Sequence, residues 1–550
     1  MSFHDVVIVG SGFGGAVMAA RLGAHVKSAL PGKKVLVLEK GDDGSGMLDP
    51  SSDGPSLNAQ GNRYRQTFEP EILARVSELF ADPAGAFRPG VSSMNIAAGR
   101  AVGGGSIVYD GVSLRAPTES FEQTRDGRRL WPAMYTRKAL DPYYAVVERE
   151  LSVVRLAWTD ERVPHWQLAC KRDLVFAEGC RKIGVSAAPL KVATRNDANE
   201  GWWNQGQRFE GRQDLTKNYL HIAKTAGVEI RSGCEVDTIA PTKDGYVVSG
   251  HDLRRGARMP FDIECTLLIV AGGAVGSTAL LLRSEDAFDG ERRLDPTGTL
   301  GRHVSGNGDY GVTGMVGTDF ERAVEGHKGK PMSSFCPSFW KEHQFILIPF
   351  YAAPFYLAIG QPSTLLRAKD PAATGRASTT IAEGERDWGL AYKKRLAAIG
   401  PRLLTMGCLA LDACEGEIRL RSDGKTPQVS WPGTATSTER RWSAAVPAMR
   451  KIYEALGGEM FLDSYRKDGT VNTAHPLGGC RMTTRGSDAS GVVDENGESL
   501  SNENLFVIDG AAIPSALGVN PSLTIAAVAE SIADRLVRGS GTRSLASRLG

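Results

Sequence analysis

The chain has 550 residues, of which 41% are hydrophobic and 23% charged; this composition is typical of a globular enzyme and excludes a disordered chain. Its 65 basic and 63 acidic residues leave a formal net charge of +2, which is too small to indicate nucleic acid as a partner. The length exceeds what one hydrophobic core usually serves, so we expect more than one domain.

Cysteine usage and the N-terminal sequence bear on the cellular compartment. The eight cysteines are dispersed, with no C-x-x-C pair and no cluster at metal-ligand spacing. The first apolar run begins almost at once, which leaves no room for a signal peptide, and no apolar run reaches the roughly 18 residues of a membrane span. We therefore expect a cytoplasmic protein with free thiols, no metal site and no transmembrane segment.

The N-terminal segment has the pattern of a βαβ unit. Residues 5–22 comprise a short β-branched apolar run, the glycine turn GSGFGG and an alanine-rich helical stretch. A second apolar run, at 34–38, ends in Glu39. The sequence predicts a parallel strand pair here, with residues 24–33 as a long linker after the helix.

The glycine turn, residues 10–15, is suited to a pyrophosphate. Gly10, Gly12 and Gly15 occupy the three positions of the dinucleotide fingerprint, where the backbone comes close to the ligand and the helix N-terminus meets its charge. Glu39 can accept hydrogen bonds from a ribose diol and would repel a 2′-phosphate. The segment predicts FAD or NAD rather than NADP, without choosing between them.

Two later segments repeat the strand, turn and helix pattern. One comprises residues 267–283, with glycines at 272–273; the other comprises 505–537, with Asp509 and Gly510 closing the strand and Pro521 beginning the helix. An antiparallel pair is predicted at 228–249. Residues 42–90 are predicted to be an irregular excursion, and the last dozen residues a frayed tail.

These patterns predict a discontinuous domain organisation. The segments with glycine turns belong together in one nucleotide-binding sheet, whereas residues 311–460 have aromatic clusters and no glycine turn. We expect a cofactor domain formed by residues 1–41, 91–115, 228–310 and 465–540. We expect a substrate-binding domain with excursions formed by residues 42–90, 116–227 and 311–464.

Three separated motifs carry a family resemblance. The sequences GRAVGGGS at 99–106, HPLGGC at 475–480 and GVNP at 518–521, together with Asp509-Gly510, resemble the glucose-methanol-choline (GMC) flavoprotein oxidoreductases and, within them, the bacterial cholesterol oxidase branch. The resemblance implies an α/β fold: a Rossmann-type FAD-binding domain with a parallel sheet, plus an interleaved α+β substrate-binding domain containing an antiparallel sheet. It also selects FAD as the cofactor.

The resemblance and the glycine turn together define the expected cofactor contacts. No histidine lies between residues 86 and 118, where some members attach the flavin, so we expect FAD to be held noncovalently. Tyr109-Asp110-Gly111 departs from the family's Asn-Gly-Gly. The candidate contacts are Gly10, Gly12, Phe13, Gly14, Gly15, Glu39, Lys40, Arg100, Val102, Gly103, Gly104, Gly105, Ser106, Val236, Ala271, Gly272, Asp509, Gly510, Asn520 and Pro521.

His475 and Asn520 are the candidate catalytic residues. Alcohol oxidation by flavin needs a hydride acceptor, a group that takes the hydroxyl proton and donors for the developing charge. His475 matches the family's active-site histidine, and Asn520 precedes a helix whose positive end can face the flavin. The resemblance implies oxidation of a sterol-like or other bulky hydrophobic alcohol to a ketone or aldehyde, with hydride passing to flavin N5.

Several alternatives stay open on the sequence. The electron acceptor is oxygen or another molecule. Cholesterol oxidases carry a glutamate for isomerisation, whereas Arg402 and Leu403 stand near the aligned position, so we expect oxidation without isomerisation. The apolar runs 345–351 and 355–357 could line a pocket, although core strand is the favoured interpretation. A flavin-dependent isomerase and a non-catalytic dinucleotide-binding protein are the alternative functions.

Overall fold

The structure is a computed structural model that describes residues 2–41, 91–96, 98–160, 162–195, 212–254, 258–320, 323–326, 329–350, 400–432, 437–462, 471–487 and 490–550. The predicted excursion at 42–90 and the apolar run at 355–357 lie outside the described residues.

The strands, in chain order, are β1 (Ser2–Val9), β2 (Val35–Leu38), β3 (Val91–Ile96), β4 (Thr124–Arg125), β5 (Arg128–Arg129), β6 (Val153–Arg155), β7 (Ala188–Pro189), β8 (Lys191–Ala193), β9 (Glu229–Arg231), β10 (Cys234–Pro241), β11 (Tyr246–Asp252), β12 (Met259–Val270), β13 (Tyr310–Met315), β14 (Ser334–Phe335), β15 (Phe345–Phe350), β16 (Leu403–Ala410), β17 (Glu417–Leu420), β18 (Pro427–Pro432), β19 (Glu459–Leu462), β20 (Val471–Thr473) and β21 (Leu505–Val507). The helices are α1 (Phe13–Ala29), α2 (Thr118–Phe121), α3 (Arg137–Glu150), α4 (Lys171–Lys182), α5 (Tyr219–Thr225), α6 (Gly273–Ser284), α7 (Trp340–His343), α8 (Ser437–Ala455), α9 (Ser522–Arg538) and α10 (Leu545–Leu549).

The larger sheet runs in the order β10-β11-β12-β1-β2-β9, and β21 also pairs with β12. β1 pairs in parallel with β2 and β12, and β21 continues the parallel part beside the last residues of β12. β10, β11 and the first half of β12 are antiparallel. The predicted βαβ unit and the antiparallel pair are confirmed, and the carboxyl ends of β1, β12 and β21 meet at one edge, where ligands of such sheets bind.

The predicted linker after the first helix is wrong, because α1 continues to Ala29. Gly23 and Val26 lie on its buried side. A Cβ at Gly23 would lie 2.3 Å from the side chain of Val228. Tertiary packing thus overrides the low helix propensity of glycine at this point, and only the few residues from Leu30 to Lys34 connect α1 to β2.

A four-stranded sheet, called here the smaller sheet, is antiparallel, in the order β15-β16-β13-β19, as the fold prediction required. Another four-stranded sheet has the order β17-β18-β3-β20. Its back face, which includes Tyr310, Val312 and Met406, packs in a second hydrophobic cluster with residues of α4 and α8. Ile346 and Ile348 point the other way and join the main cluster. β15 is therefore a core strand buried on both faces, which was the favoured interpretation for this run.

The predicted frayed tail is also wrong. The chain ends in the short helix α10, in which Leu545 is fully buried. Arg548 donates to both carboxylate oxygens of Glu498, at 2.5 and 2.8 Å, and both side chains are buried. A paired, buried arginine of this kind holds the C-terminus in place, since separating the pair would leave a buried charge without compensation.

Among the described helices, none is long and apolar enough to cross a membrane. All eight cysteines are free thiols, and seven of them are buried. The division of the chain into a cofactor domain and a substrate domain stays a prediction.

Candidate active site

The glycine turn packs tightly between strand ends. A Cβ at Gly10 would lie 2.3 Å from the carbonyl oxygen of Ala271, and one at Gly14 would lie 1.7 Å from that of Ile508. Gly10 also has a φ of 100°, which residues with a side chain rarely adopt. Glycine is needed at both positions because the ends of β1, β12 and β21 otherwise could not meet.

Gly12 has a different environment, since a Cβ there would meet nothing within 4 Å. It is the N-cap of α1, and no side chain caps this helix. Gly104 approaches it closely enough that a Cβ would lie 2.7 Å from the Cα of Gly12, while Gly105 again faces open space. Uncapped N–H groups beside open space form an anion-binding arrangement, so this part of the chain fits a pyrophosphate.

The Glu39 carboxylate lies beside the turn and is only 7% exposed. Its Oε2 accepts hydrogen bonds from the N–H and the hydroxyl of Ser11, at 3.0 and 2.6 Å, and Oε1 accepts from the N–H of Gly41 at 2.8 Å. The contact of Glu39 with a ribose hydroxyl stays a prediction. The Ser11 hydroxyl also accepts from the N–H of Gly103 at 2.9 Å. Sequence reasoning missed Ser11, which joins the turn, Glu39 and the glycine-rich loop (residues 99–106).

Asp509, just after β21, holds the neighbouring turn. Its carboxylate accepts hydrogen bonds from the N–H of Gly273 at 2.7 Å, the hydroxyl of Ser277 at 2.5 Å and the N–H of Ala511 at 2.7 Å. Burial raises the pKa of Asp509, against these hydrogen bonds. The carboxylate therefore fixes the start of α6 and the turn at residues 271–272 against β21. Its contact with FAD stays a prediction.

Other predicted cofactor contacts have partners within the chain. Val102 and Val236 are buried in the main hydrophobic cluster, so their side chains serve packing. Lys40 Nζ lies 3.1 Å from Oε1 of Glu235, whose pKa is lowered: burial raises it, but Lys40, Arg258 and Arg100 together lower it by more. Lys40 and Arg100 thus flank the same carboxylate at the edge of the larger sheet.

The glycine-rich loop is fixed by its last residue. The Ser106 hydroxyl donates to the carbonyl oxygen of Gly103 at 2.7 Å and accepts from the N–H of Leu215 at 3.1 Å. Phe13, at the start of α1, meets the ring of Tyr109 edge-on, with centroids 5.5 Å apart. The loop is therefore held on both sides beside the helix N-terminus.

The imidazole of His475 lies between two polar side chains. Nδ1 lies 2.9 and 2.8 Å from the carboxylate oxygens of Asp309, and Nε2 lies 3.0 Å from Nδ2 of Asn520. Because a carboxylate only accepts, Nδ1 donates its proton to Asp309, and Nε2 of the neutral ring is the acceptor. The structure thus brings the two predicted catalytic side chains, 45 residues apart, into direct contact.

Asp309 was not predicted from the sequence. It precedes β13, and its Oδ2 also accepts from the Thr473 hydroxyl at 2.9 Å and from the N–H of Ala474 at 3.1 Å. Burial lowers the pKa of His475, but the charge of Asp309 and its hydrogen bond raise it by more, so the pKa lies above its ordinary value. The 166 residues between the partners explain why no local pattern revealed the pair.

Asn520 has one unsatisfied group. The side chain is 8% exposed, and its Oδ1 has no hydrogen-bond partner. Pro521 follows as the N-cap of α9, whose first turn has no side-chain cap. A buried acceptor without a partner needs an explanation. A ligand hydroxyl or ring N–H would satisfy it, and the positive end of α9 beside it favours negative charge on the ligand.

The two C-terminal motifs pack against each other. The N–H of Gly478 donates to the carbonyl oxygen of Gly510 at 2.9 Å, and that of Cys480 donates to Ala511 at 3.0 Å. A Cβ at Gly510 would lie 3.2 Å from the carbonyl oxygen of Pro476. The segment 475–480, called here the histidine loop, therefore packs against the end of β21, where Asp509 lies.

The departure at Tyr109-Asp110-Gly111 lies near the same histidine. The charge of Asp110 contributes to the raised pKa of His475. Arg212 donates to the carbonyl oxygen of Tyr109 at 2.8 Å and so holds this segment. A second carboxylate thus stands within electrostatic range of His475.

Neither residue at the position aligned with the isomerisation glutamate supplies a carboxylate. Arg402 Nε donates to the carbonyl oxygen of Val316 at 2.9 Å, and Leu403 is buried. Oxidation without isomerisation stays a prediction.

Comparison with known proteins extends these observations over most of the chain. Two family models, both described as GMC oxidoreductase, match residues 5–288 and 414–529. A long-chain-alcohol oxidase of Arabidopsis thaliana is 24% identical, over 97% of this chain and 67% of its own length. A cholesterol oxidase of Acinetobacter baumannii is 24% identical, over 96% of this chain and 93% of its own length.

A solved structure has the same fold. The pyridoxine 4-oxidase of Mesorbium loti superimposes with a TM-score of 0.59 at 16% sequence identity, and the match covers 97% of this chain and 99% of that one. The likeness confirms the α/β architecture and, at this identity, carries nothing about the substrate.

Proposed function

Because the chain belongs to the GMC oxidoreductase family and is therefore an FAD-dependent enzyme acting on alcohols, we propose that it oxidises a bulky, apolar alcohol to a ketone or aldehyde, with His475 and Asn520 as the catalytic residues. The main support for the proposal is the chain of contacts from Asp309 through His475 to Asn520. In it, the basic Nε2 of His475 contacts the amide of Asn520, whose Oδ1 has no hydrogen-bond partner.

The residues that would hold FAD are the glycine turn, Glu39 and the glycine-rich loop, with the N-terminus of α9 near the reacting end. When bound, FAD supplies the hydride acceptor at its ring N5 and passes the electrons on to oxygen or another acceptor.

His475 takes the hydroxyl proton in this proposal. Nδ1 keeps its proton in the hydrogen bond to Asp309, so the lone pair of Nε2 is the base. The imidazolium that forms is stabilised by the Asp309 carboxylate, in agreement with the raised pKa of His475. The base is therefore oriented by one neighbour, Asp309, and its charged form is stabilised by the same carboxylate.

Asn520 orients the alcohol. Its Nδ2 is 3.0 Å from Nε2, so an oxygen that replaces this contact would lie between the amide and the imidazole. Its unpaired Oδ1 can accept a second hydrogen bond from the ligand. The amide thus fixes the hydroxyl group beside the base, which is the positioning that such a reaction requires.

The smaller sheet supports the proposed substrate class. Asp309, Gly311 and Thr313 alternate with residues of the back face, so they share the opposite face, called here the front face. Ile348 and Phe350 lie on the same face through their pairing with β16. The face that carries the partner of His475 is therefore largely apolar.

The ring of Phe350 covers two glycines on this face. Gly311 and Gly407 are directly paired, and Cβ atoms there would lie 3.5 and 3.3 Å from the ring of Phe350. The aromatic ring over two positions without side chains gives this face an apolar surface, which suits contact with a bulky hydrocarbon. The long-chain-alcohol and cholesterol oxidases among the relatives act on molecules of this kind by their names, which supports the same class here.

Anaerobic mixing with a panel of sterols, terpenoid alcohols and long-chain alcohols tests this function. We expect a bulky apolar alcohol to remove the visible absorbance of the oxidised flavin, and air or an artificial acceptor to restore it. The faster of the two reoxidations assigns the acceptor. Flavin that stays oxidised with every alcohol would contradict the proposal and favour an isomerase or a binding protein.

A further inference from the structure

A short segment before the smaller sheet contacts both the loop that contains His475 and the loop that contains Asn520. Residues 305–309, called here the bridging segment, follow the buried Val304 and end at Asp309, directly before β13. Within it, Asn307 is fully buried and has a φ of 58°, a conformation that asparagine tolerates better than most residues. Asn307 is outside every motif that the sequence analysis identified.

The side-chain amide of Asn307 makes hydrogen bonds to the loop before Asn520. Its Oδ1 accepts hydrogen bonds from the N–H groups of Leu517 and Gly518, both at 2.9 Å, and its Nδ2 donates to the carbonyl oxygen of Val519 at 2.8 Å. Three successive residues are thus held by one side chain. The third of them is bonded directly to Asn520, so the amide fixes the backbone from which the Asn520 side chain projects.

The same segment holds the histidine loop. Ser305 and Leu477 exchange two backbone hydrogen bonds, at 2.8 and 3.0 Å. The Thr473 hydroxyl lies 2.9 Å from the carbonyl oxygen of Gly306, which shares the single hydroxyl proton with Oδ2 of Asp309, and Asp309 binds the imidazole itself. The backbone on both sides of His475 is therefore tied to the bridging segment.

The bridging segment is itself anchored to the smaller sheet. The N–H of Ala410, at the end of β16, donates to the carbonyl oxygen of Asn307 at 3.0 Å. The N–H of Gly308 donates to the buried carboxylate of Asp412 at 3.1 Å, and Nε1 of Trp442 donates to the carbonyl oxygen of Gly308 at 3.1 Å. These bonds come from β16, the loop after it and α8, so the segment has a rigid support.

From this geometry we propose that Asn307 is a positioning residue for Asn520, and that the bridging segment sets the contact between Asn520 and His475 by holding both loops on one support. The inference rests on the proposed function of those two side chains. Misplacing a reacting group by about 1 Å can cost on the order of a hundredfold in rate. Loss of the Asn307 amide should therefore slow the reaction without touching substrate or FAD.

The Asn307→Gly substitution tests this, because glycine accepts the positive φ and removes only the amide. We expect the anaerobic flavin reduction at saturating alcohol to slow about tenfold to a hundredfold, with FAD retained. Asn307→Asp keeps the acceptor for Leu517 and Gly518 but not the donor, and should be intermediate. Asn504→Gly is the matched control: it has a φ of 64° and a side chain that accepts from Arg548, and it should keep the wild-type rate.

A double variant separates positioning from a general loss of structure. If Asn307 acts through Asn520, the variant Asn307→Gly/Asn520→Ala reduces flavin no more slowly than Asn520→Ala alone. Nuclear magnetic resonance of the protein with nitrogen-labelled histidine supplies a readout that does not depend on turnover. We expect the resonance of Nε2 of His475 to shift in Asn307→Gly and to shift in the same direction in Asn520→Ala.

The outcomes are distinct for the inference and for the function. A wild-type rate in Asn307→Gly, or slowing effects that multiply in the double variant, would overturn the role of Asn307 while Asn520→Ala stays slow. A wild-type rate in Asn520→Ala itself would overturn the catalytic role of Asn520, and the positioning role of Asn307 with it, whereas flavin that stays oxidised with every alcohol in the wild type would overturn the proposed function.

Discussion

The imidazole of His475 has a different partner on each nitrogen, and this asymmetry carries the chemical argument. Asp309 keeps the proton on Nδ1 and compensates the charge when Nε2 becomes protonated. Asn520 faces Nε2 and keeps one acceptor free for the ligand. The proposed base, the carboxylate that orients it and the proposed substrate-binding amide thus come from three loops that the fold brings together.

The Asp309→Asn substitution should change the pH dependence of flavin reduction. In the proposed mechanism the neutral imidazole is the active form, so the rate should rise as pH passes upward through the pKa of His475, which lies above its ordinary value. Without the carboxylate that pKa falls, so the acid limb of the profile should move to lower pH. The plateau should drop about tenfold to a hundredfold because the imidazolium loses its partner.

The measurement is the rate of anaerobic flavin reduction between about pH 5 and pH 9, which brackets the histidine titration. An acid limb that keeps its wild-type position in Asp309→Asn would show that Asp309 does not control His475. Substitution of the exposed Asp423 by Asn is the control and should leave both limb and plateau unchanged.

At the scale of elements, the junction of β1 and α1 combines two kinds of glycine. Gly14 is packed against the backbone of Ile508, whereas Gly12 faces open space. Gly14 is therefore required by the packing of the fold, whereas Gly12 is required by the ligand that we expect in the open space beside it. The sequence pattern alone does not separate the two, because both belong to the same fingerprint.

Alanine at these two positions should have opposite consequences. Gly14→Ala drives its Cβ into the β21 end and should lower the free energy of unfolding by at least about 3 kcal/mol. Gly12→Ala meets no protein atom and should leave the unfolding of the apoprotein within about 0.5 kcal/mol of wild type, while FAD is lost because the Cβ occupies the pyrophosphate space. Urea unfolding and flavin content check both; full FAD retention in Gly12→Ala would contradict this placement.

The front face of the smaller sheet makes a prediction about substrate size. Phe350→Ala should remove the ring that covers Gly311 and Gly407 and so open space above them, and the ratio of kcat/KM for bulky to small alcohols should therefore rise about tenfold or more. Phe339, which stacks on Phe345 in the cluster at the back face, supplies the matched control. Phe339→Ala should leave the ratio unchanged; equal ratios in both variants would remove Phe350 from the pocket.

For the molecule as a whole, patterns in the sequence predicted those elements that residues adjacent in sequence form. The strand, glycine turn and helix at the N-terminus were predictable because adjacent residues form them, and the motif around His475 was recognisable for the same reason. The error at α1 arose because Gly23 is held in the helix by Val228, about two hundred residues away. The C-terminal helix was missed because its anchor, Glu498, lies outside it.

The candidate site was predictable to the same extent. His475 and Asn520 could be named from short motifs, but their contact could not, since it depends on how the chain folds. Asp309 and Asn307 have no motif around them and act only through groups distant in sequence. Residues that orient a site are therefore the ones that a single sequence reveals least.

The central claim is that an alcohol loses its hydroxyl proton to His475 when it reduces the bound flavin. The most direct test is the rate of anaerobic flavin reduction by one bulky alcohol in wild type and in His475→Ala. The account predicts that the variant keeps its FAD and reduces it at least about a hundredfold more slowly, as expected for loss of a general base. Flavin reduction at the wild-type rate in His475→Ala would contradict the account.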